Sequence, residues 1–179
     1  MTSPLTLTYD MCRWLLIPVM AVHNLEEWIM VPRYGGIAPT LQANIAGLPA
    51  PPPFPALQIA FLLVTLVPAL IVLAAVRADR SRVLDGLVCG VTSMYLASAF
   101  LPHLLEFALD RAYAPGLVTA VFVVIPFAIV LLRQALREQY LSGRQLAAAV
   151  AAAVVCLPLV LVSTLAISAA IAAALGWTT

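Results

Sequence analysis

Apolar residues run through this chain in five long stretches, roughly Met11 to Val31, Ala56 to Val76, Val83 to Leu109, Gly116 to Leu136 and Gln145 to Leu175. Each is about 20 residues or longer, and at 1.5 Å per residue each reaches across a hydrocarbon core of about 30 Å. No alternation of period two supports strands. The pattern predicts an all-α, polytopic membrane helix bundle with about five transmembrane helices, in a single membrane domain spanning residues 1–179. The first stretch is the least regular, because its apolar run flows into His23, Glu26 and Glu27, which need shelter from other helices. The start of the chain lacks a basic leader and a small-residue cleavage site, so the first helix is expected to be retained.

Between the first two stretches, residues 32–55 form a Pro/Gly-rich connection with Gly35-Gly36 and the run Pro49 to Pro55. This composition predicts polyproline II or irregular backbone, and a stiff connector rather than a lid. Arginines set the orientation. Arg13, Arg77, Arg80, Arg82, Arg133, Arg137 and Arg144 fall on one side, with Arg33 and Arg111 on the other. By the positive-inside rule the N-terminus is cytoplasmic and the 32–55 connection external. The alanine-rich last stretch, including Ala147 to Ala149 and Ala172 to Ala174, suits close packing against neighbouring helices or a second copy in a homo-oligomer.

Composition sharpens this reading. The chain is 64% hydrophobic and 9% charged, with a mean hydropathy of +1.06, which excludes an ordinary soluble fold and makes the lipid bilayer the first partner. A net charge of +1, with arginines scattered rather than striped, gives no nucleic-acid surface. Cys12, Cys89 and Cys156 lie far apart and form no CxxC pair, which argues against a zinc finger or a disulfide framework.

Against that background, charge inside an apolar stretch marks the place where chemistry is expected. His23-Asn24-Leu25-Glu26-Glu27 is one such cluster, and His103-Leu104-Leu105-Glu106 holds the only other histidine. On a regular helix Glu26 lies about −60° and Glu27 about +40° from His23, while Glu106 lies about −60° and Asp110 about −20° from His103. Both clusters precede the outer ends of their helices by similar distances, so both occupy the outer third of the membrane, with the site toward the external side.

Two histidines and three glutamates on facing helices match the donor types of helix-bundle carboxylate metal sites, and mixed N/O ligands suit Zn, Fe or Mn. His23, Glu26, Glu27, His103 and Glu106 are therefore the candidate metal ligands, with Glu26, Glu27 and Glu106 as candidate catalytic carboxylates. The same residues also serve metal-free acid-base chemistry on an apolar small-molecule or lipid substrate, and both chemistries remain open. A proton or cation carrier and a structural or accessory membrane subunit are the alternatives to an enzyme. The enzyme is favoured over the carrier because the inner halves of the helices offer little polar continuation beyond Thr65, Thr92 and Ser93.

Weaker candidates surround these clusters. Asn24 and Tyr95 are candidate supporting partners of the clusters, and Asn44 and Gln58 candidates to reach them from the 32–55 side, with local backbone or solvent the favoured partner for each. Trp28, Tyr34, Tyr113 and Trp177 read as an interfacial aromatic belt. Arg33 and Arg111 read as partners of the acidic clusters or as snorkelling side chains.

The His23-Asn24-Leu25-Glu26-Glu27 stretch resembles the signature of the bacterial HXXEE-motif membrane protein family, and the His103 region followed by Tyr113-Ala114-Pro115-Gly116 is similar to that family's second half. The likeness extends over Trp14 to Leu136 in general layout. It implies that His23, Glu26 and Glu27 are functional. It implies no activity, because the family has none assigned.

Overall fold

The computed structural model describes residues 7–34, 36, 38–44, 52–78 and 80–177; the proline-rich portion at 45–51 lies outside the described residues. Six helices are described: α1 (Tyr9–Tyr34), α2 (Pro39–Asn44), α3 (Phe54–Arg77), α4 (Arg82–Asp110), α5 (Leu117–Arg137) and α6 (Gly143–Ala174). No strand occurs among the described residues. The fold is an all-helical bundle, as the apolar pattern predicts.

Four of these helices, α3 to α6, are long and apolar enough to cross a membrane. At 26 residues α1 also has the length, but it carries Asp10, Arg13, Glu26, Glu27 and Arg33. It packs on α3, α4 and α5, and α6 closes the other side against α3 and α4. Position α2 is a correction to the expected irregular connection, since Pro39 to Asn44 is helical. Its short turn is held from outside itself, as described below.

Local chemistry explains the ends. Ser81 caps α4 by accepting from Leu84 N, and Ser142 with Gln145 forms a capping box at α6. One apolar core occupies the arginine-rich end, built on Leu16 and Met20 of α1, Val72 of α3, Val88 of α4 and Leu131 of α5. Gly90 lets α4 approach α6 closely, because a Cβ there would lie 3.9 Å from the Ala149 carbonyl oxygen and 4.0 Å from the Ala153 Cβ. The alanines of α6 are thus used, in part, for packing within the chain. Elsewhere α6 exposes Val155, Leu159 and Val162, the surface expected to meet lipid tails.

The largest departure from regular geometry is in α4. A widened π-type turn spans Ala99–Leu104, and Leu101 is extended (φ −128°, ψ 104°) just before Pro102. Such turns break the 3.6-residue repeat and redirect the side chains that follow. His103 sits in this turn. A second widened turn, Ala120–Val124, lies early in α5.

Candidate metal centre

His23 and Glu27 are one helical turn apart on α1, so both project from the same face. That face meets the bent part of α4, where His103 turns inward. The three side chains are nearly sealed from solvent, at 2%, 8% and 1% exposure for His23, Glu27 and His103. One potential ligand atom from each lies within 4.8 Å of the others. The two imidazoles meet edge to face with centroids 5.0 Å apart, and His103 Nε2 is 3.4 Å from Glu27 Oε1.

The surroundings orient these groups. Thr119 Oγ1 at the start of α5 lies 2.8 Å from His23 Nδ1, which leaves Nε2 as the ring's other nitrogen. Thr119 is itself fixed, its hydroxyl donating to the Gly116 carbonyl at 3.3 Å. His103 Nδ1 is buried with no hydrogen-bond partner among the described residues. On that side the ring lies against the Pro115–Gly116 backbone, so Nε2, which faces Glu27, is the nitrogen turned toward the group.

The structure does not bring Glu26 into this group. Its carboxylate turns toward α5 and accepts from Thr119 N at 2.7 Å, Val118 N at 3.2 Å and the Tyr113 hydroxyl. It therefore caps the first turn of α5, satisfying amides that have no partner within the helix. Burial, followed by donation to Glu26, pushes the Tyr113 phenol above its ordinary pKa, so it stays protonated as a donor. Tyr113 is more than a belt residue, although its ring does also lie 4.8 Å from that of Tyr34. The 100° between Glu26 and Glu27 is enough to send them to different neighbours.

Glu106 is likewise buried, at 3% exposure, but faces α2. It accepts from Thr40 N at 2.7 Å and Leu41 N at 3.1 Å, and the Thr40 hydroxyl donates to Asp110. Glu106 and Asp110 thus tie the α1–α3 connection onto α4. Asn44 donates to the Thr40 carbonyl within α2. Among the described residues Arg33 and Arg111 form no ion pair.

Asn24 and Tyr95 differ from expectation. The Asn24 amide donates to Thr65 Oγ1 at 2.6 Å and to the Tyr95 hydroxyl at 2.9 Å, and Tyr95 donates to the Val64 carbonyl at 2.8 Å. These bonds cross from α1 to α3 and α4, beneath the histidines, with the Tyr95 ring edge-on to His23 at 6.0 Å.

Gly116 is a site residue that helical spacing alone does not reveal. Its φ of +83° is one that L side chains rarely adopt, and a Cβ there would lie 2.6 Å from His103 Cε1 and 3.1 Å from Glu27 Cγ. The backbone of the α4–α5 turn is therefore one wall of the site. A Pro-Gly pair beside an apolar helix was the available signal.

At the opposite end is a cluster that sequence reading divided between a topogenic arginine and ordinary helix positions. Arg13 is 5% exposed and Asp85 1% exposed. Arg13 Nη1 donates to Asp85 Oδ1 at 3.2 Å and to the Ala75 carbonyl at 2.8 Å, while Nη2 pairs with Asp10. A buried ion pair between α1 and α4 leaves no signal in hydropathy beyond two isolated charges.

The sequence model of a family described as a protein of unknown function with HXXEE motif matches residues 14–131. This chain belongs to that family. The match spans the motif at His23 to Glu27 as well as His103, Glu106, Gly116 and Thr119, so the assembled group lies wholly within the family region. No curated protein and no solved structure matches the chain. The HXXEE motif supplies two of the three clustered side chains, and α4 the third.

Proposed function

We propose that the chain is an integral membrane enzyme in which His23, Glu27 and His103 hold a divalent metal, Zn, Fe or Mn, and which acts on a lipid or other apolar small molecule by hydrolysis or acid-base chemistry. The observation that carries this reading is the convergence of two imidazoles and one carboxylate, all buried and with potential ligand atoms within 4.8 Å. Two histidines and one carboxylate form a ligand set of catalytic zinc sites, which keep a further position open. Tetrahedral ligands about 2.1 Å from a metal sit roughly 3.4 Å apart, so a modest contraction suffices.

A metal bound there would supply Lewis acidity and a more acidic water. Thr119 orients His23, Glu26 holds Thr119, and Gly116 closes the wall, which is how outer partners commonly support metal ligands. The exposed Phe100 and Leu101 flank the turn that carries His103. On this reading an apolar substrate would enter past them from lipid. With the arginine-rich end cytoplasmic, the site belongs to the outer part of a bacterial inner membrane.

The test is elemental analysis of detergent-purified protein beside its His23→Ala, Glu27→Gln and His103→Ala variants. Near-stoichiometric metal in the wild type, lost in all three folded variants, supports the reading. A wild type that arrives metal-free and takes up none of Zn, Fe or Mn sinks it.

A second reading, a proton or cation carrier, draws on the buried Arg13–Asp85 pair as a second ionisable station. The two stations are ten residues apart along α1, about 15 Å. Leu16 and Met20 lie between them on α1 in an apolar core with Val72, Val88 and Leu131, which favours the enzyme. Proton flux in liposomes that disappears in Glu27→Gln would reverse that preference.

A further inference from the structure

A cavity of about 560 Å³ opens at the end of the bundle opposite the metal centre, lined by Asp10, Arg13, Trp14, Arg77, Arg80 and Tyr140, with Val76 and Ala78 between them. Its polar side is assembled from three separate parts of the chain: the start of α1, the end of α3 with the following turn, and the α5–α6 connection. Arg80 is held in the left-handed backbone region at φ 46°, which a non-glycine residue adopts at a cost. Its guanidinium lies over the Tyr140 ring, 4.6 Å from the centroid. The same ring carries the Arg13 guanidinium at 5.3 Å, and the Tyr140 hydroxyl donates to Asp10 at 3.0 Å. Tyr140 is thus a fixed shelf for two guanidiniums.

The back of the cavity is built rather than superficial. Arg13 is 95% buried by its 5% exposure, and its Nε–H is buried with no partner among the described residues. Its Nη groups are committed to Asp10, Asp85 and the Ala75 carbonyl, so Arg13 braces the back of the cavity between the Tyr9 and Tyr140 rings, and the exposed donors are those of Arg77 and Arg80. Arg77 and Arg80 are exposed at the rim, where planar guanidiniums are suited to grip the oxygens of a phosphate. Trp14, half exposed, and Val76 form an apolar side continuous with the lipid-facing surface. Asp79 lies outside the described residues.

We infer that this cavity binds the phosphodiester headgroup of an anionic phospholipid, with the phosphate between Arg77 and Arg80 and the acyl chains leaving past Trp14 and Val76. Arginines and aromatics at the membrane interface are the groups that recognise such headgroups. The mixed wall selects an amphiphile over a free anion, because a free anion gains nothing from the Trp14 side. This inference does not rest on the metal reading.

The full chain, delipidated in detergent, is to be compared by native mass spectrometry and thermal unfolding with phosphatidylglycerol, phosphatidylcholine or inorganic phosphate added. The expected result is one retained phosphatidylglycerol and a rise in unfolding temperature that the other two do not give. Arg77→Gln with Arg80→Gln should abolish both effects, while Arg133→Gln with Arg137→Gln, the same charge change at exposed positions outside the cavity, should preserve them. Equal losses in the two double variants would overturn the site in favour of diffuse charge attraction. Equal protection by phosphatidylcholine or by inorganic phosphate alone would overturn the anionic-lipid assignment.

Discussion

Two buried ionisable clusters stand at opposite ends of this bundle, both joining α1 to α4, and they solve the problem of buried charge differently. At the arginine-rich end Arg13 and Asp85 are opposite in sign and close enough to compensate each other, with the Ala75 carbonyl and Asp10 taking further donors. At the other end, His23, Glu27 and His103 offer lone pairs to one point, with no side-chain cation beside them among the described residues. The first is a lock between helices. The second has the form of a cation receptor. Burial of a charged residue in a membrane protein therefore marks a place to look, and the chemistry of its partners decides between structure and function.

This contrast breaks most sharply if the histidines of the His23–Glu27–His103 group are removed. His23→Ala or His103→Ala is expected to abolish near-stoichiometric metal while leaving the helical circular dichroism unchanged; metal retained in both variants would erase the difference between the clusters. The Arg13–Asp85 lock should answer in stability instead. Arg13→Leu leaves Asp85 buried and unpaired, and a loss of about 3–5 kcal/mol is expected, read as a lowered unfolding temperature with any bound metal still present before unfolding.

Gly116→Ala should disturb the His23–Glu27–His103 group selectively, since the new methyl enters the His103 ring and the backbone prefers a φ that side chains avoid. Metal occupancy should fall well below that of the wild type, and unchanged occupancy would show that the α4–α5 turn is not a wall of the site. Thr119→Val removes the oxygen at His23 Nδ1 and should weaken metal binding about 10- to 100-fold, measured by competition with a chelator. The smallest effect is expected from Tyr113→Phe, which removes one of three donors to Glu26 and should cost about 1 kcal/mol of stability with metal stoichiometry intact.

The comparison also shows how legible each region was. His23 and Glu27 are paired by the helix itself, because residues four apart share a face whatever surrounds them. The helical bundle follows from apolar run lengths. Glu26 and Glu106 were grouped with the site because a helical wheel gives direction but not neighbour: the open amides of α5 and α2 draw them away. The angles around His103 also assumed a regular helix, whereas the widened turn at Ala99–Leu104 lies there.

The sequence by itself determined an apolar all-helical chain, the family signature and the His23/Glu27 face, because these depend on local composition and on the fixed repeat of the α-helix. Only the tertiary structure decided that Glu26 and Glu106 serve backbone amides, that Thr119 orients His23, that Gly116 forms a wall and that Arg13 meets Asp85. Each of those depends on which helices become neighbours and where their unsatisfied donors fall, and that is settled by packing between segments separated by as many as 96 residues.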